Sequence, residues 1–258
     1  MPTAQTRQQP DAAIVLLGPE RAEAAVRDLA ERGCRAAIVL ASGYGEANAD
    51  GARRQEALKQ AAGGMRLLGP NTIGLVNLTD GIMLSATGAL EVGDLPTGRI
   101  SVVSQSGGIL GALLSRAADR GIGFAKLVST GNEADLDSSD LIAELLEDPA
   151  TDVVAVYMEG LRRPEAFRQA ARRAAALGKP IVVYKVGRSD SGARAATSHT
   201  GAMAGADRVY DALFRQFGVI RAETFTDLLD ILARPERITA IIVDELGAIR
   251  NQFGDPRR

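Results

Sequence analysis

The sequence is poor in residues on which several classes of protein depend. Its 258 residues include no tryptophan, one cysteine, one histidine and only 4% aromatic residues. The few aromatics argue against stacking platforms for single-stranded nucleic acid or sugars. A single cysteine excludes an internal disulfide framework and fits a reducing compartment. The longest apolar runs, such as residues 14–17 and 38–40, are far too short to cross a bilayer.

Charge of one sign is also lacking. Thirty Lys and Arg residues face 32 Asp and Glu residues, which gives a net charge of −2. Such a balance provides no basic field for nucleic acid and no polybasic segment for a membrane surface. The N-terminus is polar and lacks the apolar stretch of a signal peptide. These features predict a cytoplasmic protein.

Short apolar runs alternate along the chain with longer amphipathic runs. This alternation is typical of an α/β protein, in which helices cover parallel sheets. Most apolar runs are continuous, as expected for strands that are buried on both faces. The predicted strands are 13–17, 36–41, 100–104, 124–128, 153–158, 181–185 and 238–243. The predicted helices are 20–31, 55–62, 108–120, 138–147, 164–176, 206–217 and 225–233, with Ser138 or Ser139 as an N-cap.

Turn-forming residues at positions 93–98 predict a domain boundary. One domain is expected over residues 11–95 and a second over 98–233. Residues 234–258 are charged and contain proline, so their order stays uncertain. The lone Cys34 lies between a helical run and a strand, where we interpret it as a core residue rather than a reactive thiol.

A Ser-Gln-Ser-Gly-Gly turn at residues 104–108 follows a predicted strand and begins a predicted helix. A helix start of this kind points free backbone N–H groups at an anion, and Ser106 would add a hydroxyl donor. The alternative is an ordinary strand-to-helix turn that Ser106 caps, and the turn alone favours neither. The residues match neither the G-x-G-x-x-G nor the G-x-x-x-x-G-K-[ST] pattern.

His199 is the only histidine, and it lies in a segment of small polar residues rather than on an apolar helix face. A neutral imidazole nitrogen is available at cytoplasmic pH, because the ordinary histidine pKa is about 6.5. Small neighbours leave room for a phosphoryl group. Taken alone, His199 is better interpreted as a solvated loop residue.

Acidic residues follow two of the predicted strands. Glu159 ends the strand 153–158, at the edge where parallel sheets bind ligands, and it could orient an imidazole. The alternative is a charged strand exit without a ligand. The acids in residues 131–137 lack the EF-hand spacing, so we interpret them as structural and predict no metal site.

Seven short segments together resemble the NDP-forming acyl-CoA synthetase family, which includes the succinyl-CoA synthetase α subunit. The segments occur in family order over roughly residues 11–233. They are 42–44, 69–74, 104–108, 131–133, Glu159, 187–188 and 198–201. The Ser-His-Thr-Gly and Ser-Gln-Ser-Gly-Gly versions are closer to ADP-forming acetate-type ligases than to succinyl-CoA synthetase itself.

The resemblance implies a Rossmann-like coenzyme A domain, a flavodoxin-like ligase domain and a role for each matching residue. His199 would carry phosphate between an acyl group and a nucleotide, and Glu159 would hold the histidine. Ser106, Gly107 and Gly108 would cradle the phosphohistidine. Ser42, Gly43 and Asn71 would line the coenzyme A side.

Two departures from the family pattern accompany the resemblance. The chain starts at what resembles the third strand of the coenzyme A domain, so this domain is expected to lack its first β–α unit. The ATP-grasp domain that binds ATP or ADP with Mg²⁺ in this family has no counterpart. We therefore expect a hetero-oligomer with an ATP-grasp partner and no phosphorylation unaided. The alternatives are a non-catalytic coenzyme A-binding or regulatory module and an inactive truncated relative.

Overall fold

The computed structural model describes residues 9–91, 95–187, 207–234 and residue 238. Within these residues, two sheets are flanked by helices, which confirms the α/β fold class. None of the described helices is long and apolar enough to cross a membrane.

The first sheet has three parallel strands in the order β1-β2-β3. The strands and their two helices are β1 (Ala12–Val15), α1 (Pro19–Glu31), β2 (Ala36–Val39), α2 (Ala49–Ala62) and β3 (Arg66–Leu68). Helix α1 begins with Pro19, whose missing N–H group costs nothing at a helix start. Its buried residues Ala22, Val26 and Leu29 recur at helical spacing and pack on the sheet.

The second sheet has seven strands in the order β10-β9-β8-β6-β7-β4-β5. Strands β4 and β5 form an antiparallel hairpin at one edge, and β4 also pairs antiparallel with β7. The other five strands, β7, β6, β8, β9 and β10, are parallel to each other. The strands are β4 (Gly74–Asn77), β5 (Ile82–Ser85), β6 (Thr97–Ser104), β7 (Phe124–Ser129), β8 (Val153–Met158), β9 (Ile181–Lys185) and β10 (Ile220–Ala222). The helices are α3 (Gly107–Ala118), α4 (Ser138–Glu147), α5 (Pro164–Leu177), α6 (Asp207–Gln216) and α7 (Phe225–Leu232).

The central strands of the second sheet are buried on both faces. In β8, Val154, Ala155 and Val156 are completely inaccessible to solvent. Ala155 packs in the core under α3 and α7, whereas Val154 and Val156 pack under α4, α5 and α6. Their continuous apolar sequence is explained by this two-sided burial.

The predicted start of α2 at residue 55 is wrong, because the helix begins six residues earlier at Ala49. The Asn48 side chain caps it by accepting a hydrogen bond of 2.9 Å from the Gly51 backbone N–H. Gly51 lies close to the start of this helix, and a glycine inside a helix lowers the helical propensity of the sequence. The glycine is needed here, because a Cβ at Gly51 would lie 1.9 Å from the Tyr44 carbonyl oxygen.

The N-cap predicted for α4 is also wrong, since Asp137 caps the helix instead of Ser138 or Ser139. The Asp137 carboxylate accepts hydrogen bonds from the backbone N–H groups of Ser139 and Asp140, and Asp140 returns a bond to the Asp137 N–H. This reciprocal pairing is a capping box with a carboxylate at both positions.

The change of sheet does not coincide with the predicted domain boundary. Hairpin β4–β5 precedes residues 95–98 in the chain, yet it pairs with β7 of the second sheet. The division between the two sheets therefore does not test the predicted domain limits of 11–95 and 98–233, which stay a prediction. Cys34 is a buried core residue, as predicted.

The C-terminal prediction is tested at few positions. Ile238, the first residue of the predicted strand 238–243, is helical and buried, which contradicts a strand at that residue. Residues 239–258 lie outside the described part of the chain. Strands β3, β4, β5 and β10 were not predicted, because these three- and four-residue strands, unlike β1 and β2, do not lie within six-residue apolar runs.

Candidate active site

A cleft of about 320 Å³ lies where strands of both sheets end. Leu40 follows β2, Gly131 follows β7 and Glu159 follows β8, so the carboxyl ends of the strands face the cleft. The volume is within the range of roughly 300–1,000 Å³ typical of small-molecule sites. The lining residues include Ser42, Asn71, Ser106, Gly107, Gly108 and Glu159, which are six of the predicted site residues.

The start of α3 forms one wall of the cleft. Ser106 is the N-cap, with φ −110° and ψ 121°, and its hydroxyl accepts a long hydrogen bond of 3.5 Å from the Ile109 N–H. The first amide groups of a helix have no acceptor within the helix, so those of Gly107 and Gly108 are available to an anion. The serine cap and amide groups that could bind an anion thus occur together in this turn.

The two glycines of this turn have different roles in packing. A Cβ at Gly107 would lie 2.6 Å from Cγ2 of Ile73, so only glycine lets the helix start approach the segment before β4. A Cβ at Gly108 would have no atom within 4 Å. Gly108 therefore leaves open space on the cleft side of the helix.

Glu159 lies half-buried at the end of β8 and lines the same cleft. Its backbone N–H donates a hydrogen bond of 2.5 Å to Oε1 of Gln105, in the turn before α3. This hydrogen bond joins the end of β8 directly to the turn before α3. Burial, together with the nearby Glu159 carboxylate, raises the pKa of Tyr157 to about 12.

A carboxylate holds the loop after β2 in shape. Glu46 accepts hydrogen bonds from the backbone N–H groups of Gly43, at 2.5 Å, and of Tyr44. Burial opposes ionisation, but the hydrogen bonds from Asn132 and Gly43 outweigh it and hold the pKa of Glu46 below its usual value. Gly43 does not line the cleft itself; it follows Ser42, which does.

Asn132 joins the loops of the first sheet to the second sheet. Its Oδ1 accepts a hydrogen bond of 3.1 Å from Nδ2 of Asn71, and its own Nδ2 donates to Gln55 and Glu46. Asn71 adopts a left-handed conformation with φ +60° and donates its backbone N–H to the Ala41 carbonyl. The sequence missed the roles of Glu46, Gln55 and Asn132, since nothing local indicates contacts across 77 to 86 residues.

The backbone of residues 131–136 runs beside the end of the first sheet. The N–H groups of Asn132, Ala134 and Leu136 donate to the carbonyls of Pro70, Gly69 and Leu67, respectively. Gly131 is required at the crossing, because a Cβ there would lie 2.3 Å from the Pro70 carbonyl oxygen.

The acids of this segment bond to the protein itself. Asp135 accepts from the Leu67 N–H and from Arg66, Asp137 caps α4, and Glu133 accepts from Thr130. No cluster of acid, histidine or cysteine residues within the described part of the chain could hold a metal ion. The hydrogen bonds of Asp135, Asp137 and Glu133 agree with a structural role for the segment, and the prediction of no metal site stays a prediction.

The predicted phosphate carrier His199 lies outside the described residues, as do Arg188 and residues 197–205. Gly187 is the last described residue before this part of the chain. It follows β9, which pairs with β8 in a register that places Lys185 opposite Met158. The chain therefore leaves the described region beside Glu159.

Lys185, at the end of β9, is buried with its ammonium 4.7 Å from the centre of the Tyr210 ring, and burial lowers its pKa.

Residues 97–234 match the family described as succinyl-CoA ligase like flavodoxin domain, and residues 1–77 match the CoA binding domain family. The chain belongs to the NDP-forming acyl-CoA synthetase family. This membership confirms the resemblance seen in the sequence. It also confirms a flavodoxin-like ligase domain around the second sheet and a Rossmann-like coenzyme A-binding type of domain around the first.

Two relatives in this family come from archaea. The chain is 39% identical over 222 residues to the ADP-forming acetate–CoA ligase I of Archaeoglobus fulgidus, covering 85% of this chain and 32% of the relative. It is 34% identical over 247 residues to subunit alpha of the ADP-forming acetate–CoA ligase I of Pyrococcus furiosus, covering 93% and 52%. The chain thus spans about a third to a half of the length of these relatives.

A solved structure of the same family has a similar fold. It is the dinucleotide-forming acetyl-coenzyme A synthetase 1 of Candidatus Korarchaeum cryptofilum, in complex with phosphate and ADP. The TM-score is 0.82 at 32% identity, over 89% of this chain and 49% of that chain. An ATP citrate lyase from Methanothrix soehngenii, at 18% identity and a TM-score of 0.67, shares the fold.

Proposed function

We propose that this chain is the coenzyme A-binding, phosphohistidine-carrying part of an NDP-forming acid–CoA ligase. The reaction is acyl-CoA + ADP + phosphate ⇌ acid + CoA + ATP. The observation that carries the proposal is the shared cleft. Loops of the first sheet, the start of α3 and Glu159 line one cavity, so a thioester and a phosphate can meet there. Support also comes from the relatives, which are named as ADP-forming acetate–CoA ligases.

Ser42, Gly43 and Asn71 bind the coenzyme A side of the substrate in this proposal. Ser42 and Asn71 line the cleft, while Glu46 and Asn132 hold the loops that carry them. The residues fit a polar ligand, because backbone groups and an amide side chain border the cavity. Coenzyme A supplies the thiol that leaves when a phosphate oxygen attacks the acyl carbonyl, and an acyl phosphate results.

Ser106, Gly107 and Gly108 hold the transferred phosphoryl group. A nitrogen of His199 attacks the phosphorus of the acyl phosphate, and the carboxylate of the product acid leaves. Glu159 holds the N–H of the other imidazole nitrogen and so stabilises the charge that the ring gains. An oxygen of the terminal ADP phosphate then takes the phosphoryl group, which frees the histidine. These steps depend on positioning and charge stabilisation more than on covalent work by the protein.

The nucleotide with its Mg²⁺ enters, in this proposal, through an ATP-grasp partner in a cytoplasmic hetero-oligomer. The Pyrococcus furiosus relative is itself named as a subunit alpha, which supports a partner for this chain. Omission of the partner should abolish labelling from ATP while leaving coenzyme A binding intact. Calorimetric titration with coenzyme A measures the second property separately.

The test of the proposal uses the lone histidine. The chain, purified without a histidine tag, is mixed with an ATP-grasp partner subunit and γ-³²P-ATP, and the two chains are separated by size. We expect label on this chain that is stable in alkali and lost in acid, and none on His199→Ala. Acid-labile label that survives His199→Ala would overturn the assignment. Coenzyme A binding without any label would instead favour the non-catalytic module.

A further inference from the structure

Gln105 is a buried amide between the two predicted catalytic segments. It lies in the turn between β6 and α3, it is only 6% exposed, and it borders the cleft. A glutamine amide has two acceptor and two donor positions. In the structure, all four are used by other parts of the chain.

The two ends of the Gln105 amide bond to the segment that carries Glu159. Its Oε1 accepts from the backbone N–H groups of Glu159, at 2.5 Å, and Gly160, at 3.0 Å. Its Nε2 donates a hydrogen bond of 2.8 Å to the Gly160 carbonyl oxygen. Glu159 is therefore joined by its own backbone to the residue that precedes the Ser106 cap.

Glu133 fixes the direction of the Gln105 amide. It is 5% exposed, and its Oε1 accepts from Nε2 of Gln105 at 3.0 Å. The same oxygen accepts from the Thr130 hydroxyl and the Ser138 N–H. Because this oxygen acts as an acceptor toward three donors, it faces the NH₂ end of the amide, and the amide oxygen is turned toward Glu159.

The next residue after this segment is held in a different way. The Leu161 N–H donates to the Tyr210 hydroxyl at 3.2 Å. The exit of β8 consequently keeps this anchor, together with the backbone hydrogen bond from the Gln105 N–H to the Tyr157 carbonyl, when the Gln105 side chain is changed. Loss of the amide should displace Glu159 without unfolding the strand.

We propose that Gln105, oriented by Glu133, is a positioning residue that keeps Glu159 in register with the helix start at Ser106–Gly108. The inference rests on the proposed function, in which Glu159 holds the phosphate-carrying histidine. Displacement of a reacting group by about 1 Å can cost on the order of 100-fold in rate. A buried amide whose two donor and two acceptor positions are all hydrogen-bonded resists such a displacement.

The first test compares Gln105→Leu with Gln60→Leu. Gln60 is exposed on α2 and its side chain donates to Glu56 one turn away, outside the cleft, so it controls for the chemistry of the substitution. We expect Gln105→Leu to lower the rate of histidine labelling about tenfold, because it acts through the position of Glu159 and leaves the carboxylate itself in place. Its coenzyme A affinity should change by less than about threefold, because the loops that carry Ser42 and Asn71 are held by other residues. Gln60→Leu should match the parent chain in both.

The second test asks whether the two buried side chains act together. Glu133→Gln exchanges the fixed acceptor for an amide that can present either its oxygen or its NH₂ group to Gln105, so its labelling rate should fall, though less than that of Gln105→Leu. Gln105→Glu places a second carboxylate against Glu133 and should be strongly impaired. Adding Glu133→Gln to Gln105→Glu removes the repulsion and should restore the rate about tenfold, within the range of coupled neighbours.

The outcomes separate the inference from the proposed function. A parent chain without histidine label contradicts the proposed function itself. A labelled parent with an equally fast Gln105→Leu overturns only the positioning role. Equal losses of labelling rate and coenzyme A affinity, or no recovery in the double variant, also overturn it, because a general structural role predicts those results.

Discussion

The two sides of the cleft are held by carboxylates in different surroundings. Glu46 lies half-exposed on the first-sheet side, where its hydrogen bonds lower its pKa. Glu133 is buried on the second-sheet side, where burial raises its pKa. Burial opposes ionisation of both carboxylates and both accept several hydrogen bonds, but only in the more deeply buried Glu133 does the loss of solvent outweigh those bonds.

Within the proposed function, this difference corresponds to a division between coenzyme A binding and phosphate positioning. The first-sheet loops are supported by the half-exposed Glu46, next to the residues that we propose to bind coenzyme A. The second-sheet turn is supported by the buried Gln105–Glu133 pair, which suits a place where phosphate must be held still. Variants on the second-sheet side should therefore change labelling rate, and variants on the first-sheet side should change coenzyme A affinity.

The largest effect is expected for Glu159→Gln. Removing a carboxylate that orients a histidine typically costs about 10- to 100-fold, and we expect that loss in the labelling rate. Glu165→Gln is the matched control, since Glu165 is an exposed residue of α5 that pairs with Arg168. Equal labelling rates of the Glu159 and Glu165 variants would remove Glu159 from the phosphate side of the cleft.

Gly107→Ala should follow, because its Cβ would lie 2.6 Å from Cγ2 of the branched Ile73 side chain. Overpacking of this kind costs roughly 1–3 kcal/mol of folding free energy. Thermal unfolding should therefore occur at lower temperature, together with slower labelling. Gly64→Ala is the control, because a Cβ there has no atom within 4 Å. A Gly107→Ala chain as stable and active as the control would contradict the close approach of α3.

A smaller effect is expected for Glu46→Gln, on the first-sheet side. The loss of charge-assisted hydrogen bonds to Gly43 and Tyr44 should weaken coenzyme A binding by a few fold, with labelling at saturating substrate unchanged. Calorimetry and a rate measurement distinguish the two. A fall in the saturated labelling rate would remove the division between binding and positioning.

The pH dependence of stability follows from the same carboxylate. A lowered pKa in the folded state means that Glu46 stabilises the fold above its unfolded pKa of about 4.3. The stabilisation is lost as the pH falls through the lower, folded-state pKa. The melting temperature of the parent should thus exceed that of Glu46→Gln at pH 6, and the gap should close on acidification below about pH 4. A gap that widens in acid would reverse the sign of the shift.

The smallest effect is expected for Asp135→Asn, at the contact between the sheets. The Arg66–Asp135 pair is half-exposed, and such pairs contribute about 0–1 kcal/mol. The asparagine still offers an oxygen to the Leu67 N–H, which Asp135 accepts at 2.8 Å. Denaturant unfolding should shift little and labelling should stay unchanged. A large loss of both would mean that the sheet contact, rather than the buried pair, positions the site.

The sequence predicts the elements that depend on local pattern. Strand β8 and β9, with continuous apolar residues, and α4, with a regular amphipathic face, have the predicted bounds. The turn at Ser106 was also predictable, since glycine and serine between a strand and a helix have few structural alternatives. Glu159 could be placed at the cleft because it follows a parallel strand.

Long-range pairing could not be predicted from local pattern. Hairpin β4–β5 joins the second sheet only because Leu75, Val76 and Asn77 pair with β7, about 50 residues later in the chain. Asn132 and Glu46 are 86 residues apart, and neither has neighbours that indicate the other. The Gln105 role was hidden for the same reason, because its partner Gly160 lies 55 residues away.

Labelling of His199 tests the central claim most directly. The chain has no other histidine, so an acid-labile, alkali-stable phosphate on it identifies the carrier without further mapping. With an ATP-grasp partner and γ-³²P-ATP, the parent chain should gain this label. It should lose the label at neutral pH when the carboxylic acid substrate and coenzyme A are added together. His199→Ala should gain none. An unlabelled parent that still binds coenzyme A, or a label that persists in His199→Ala, would contradict the account.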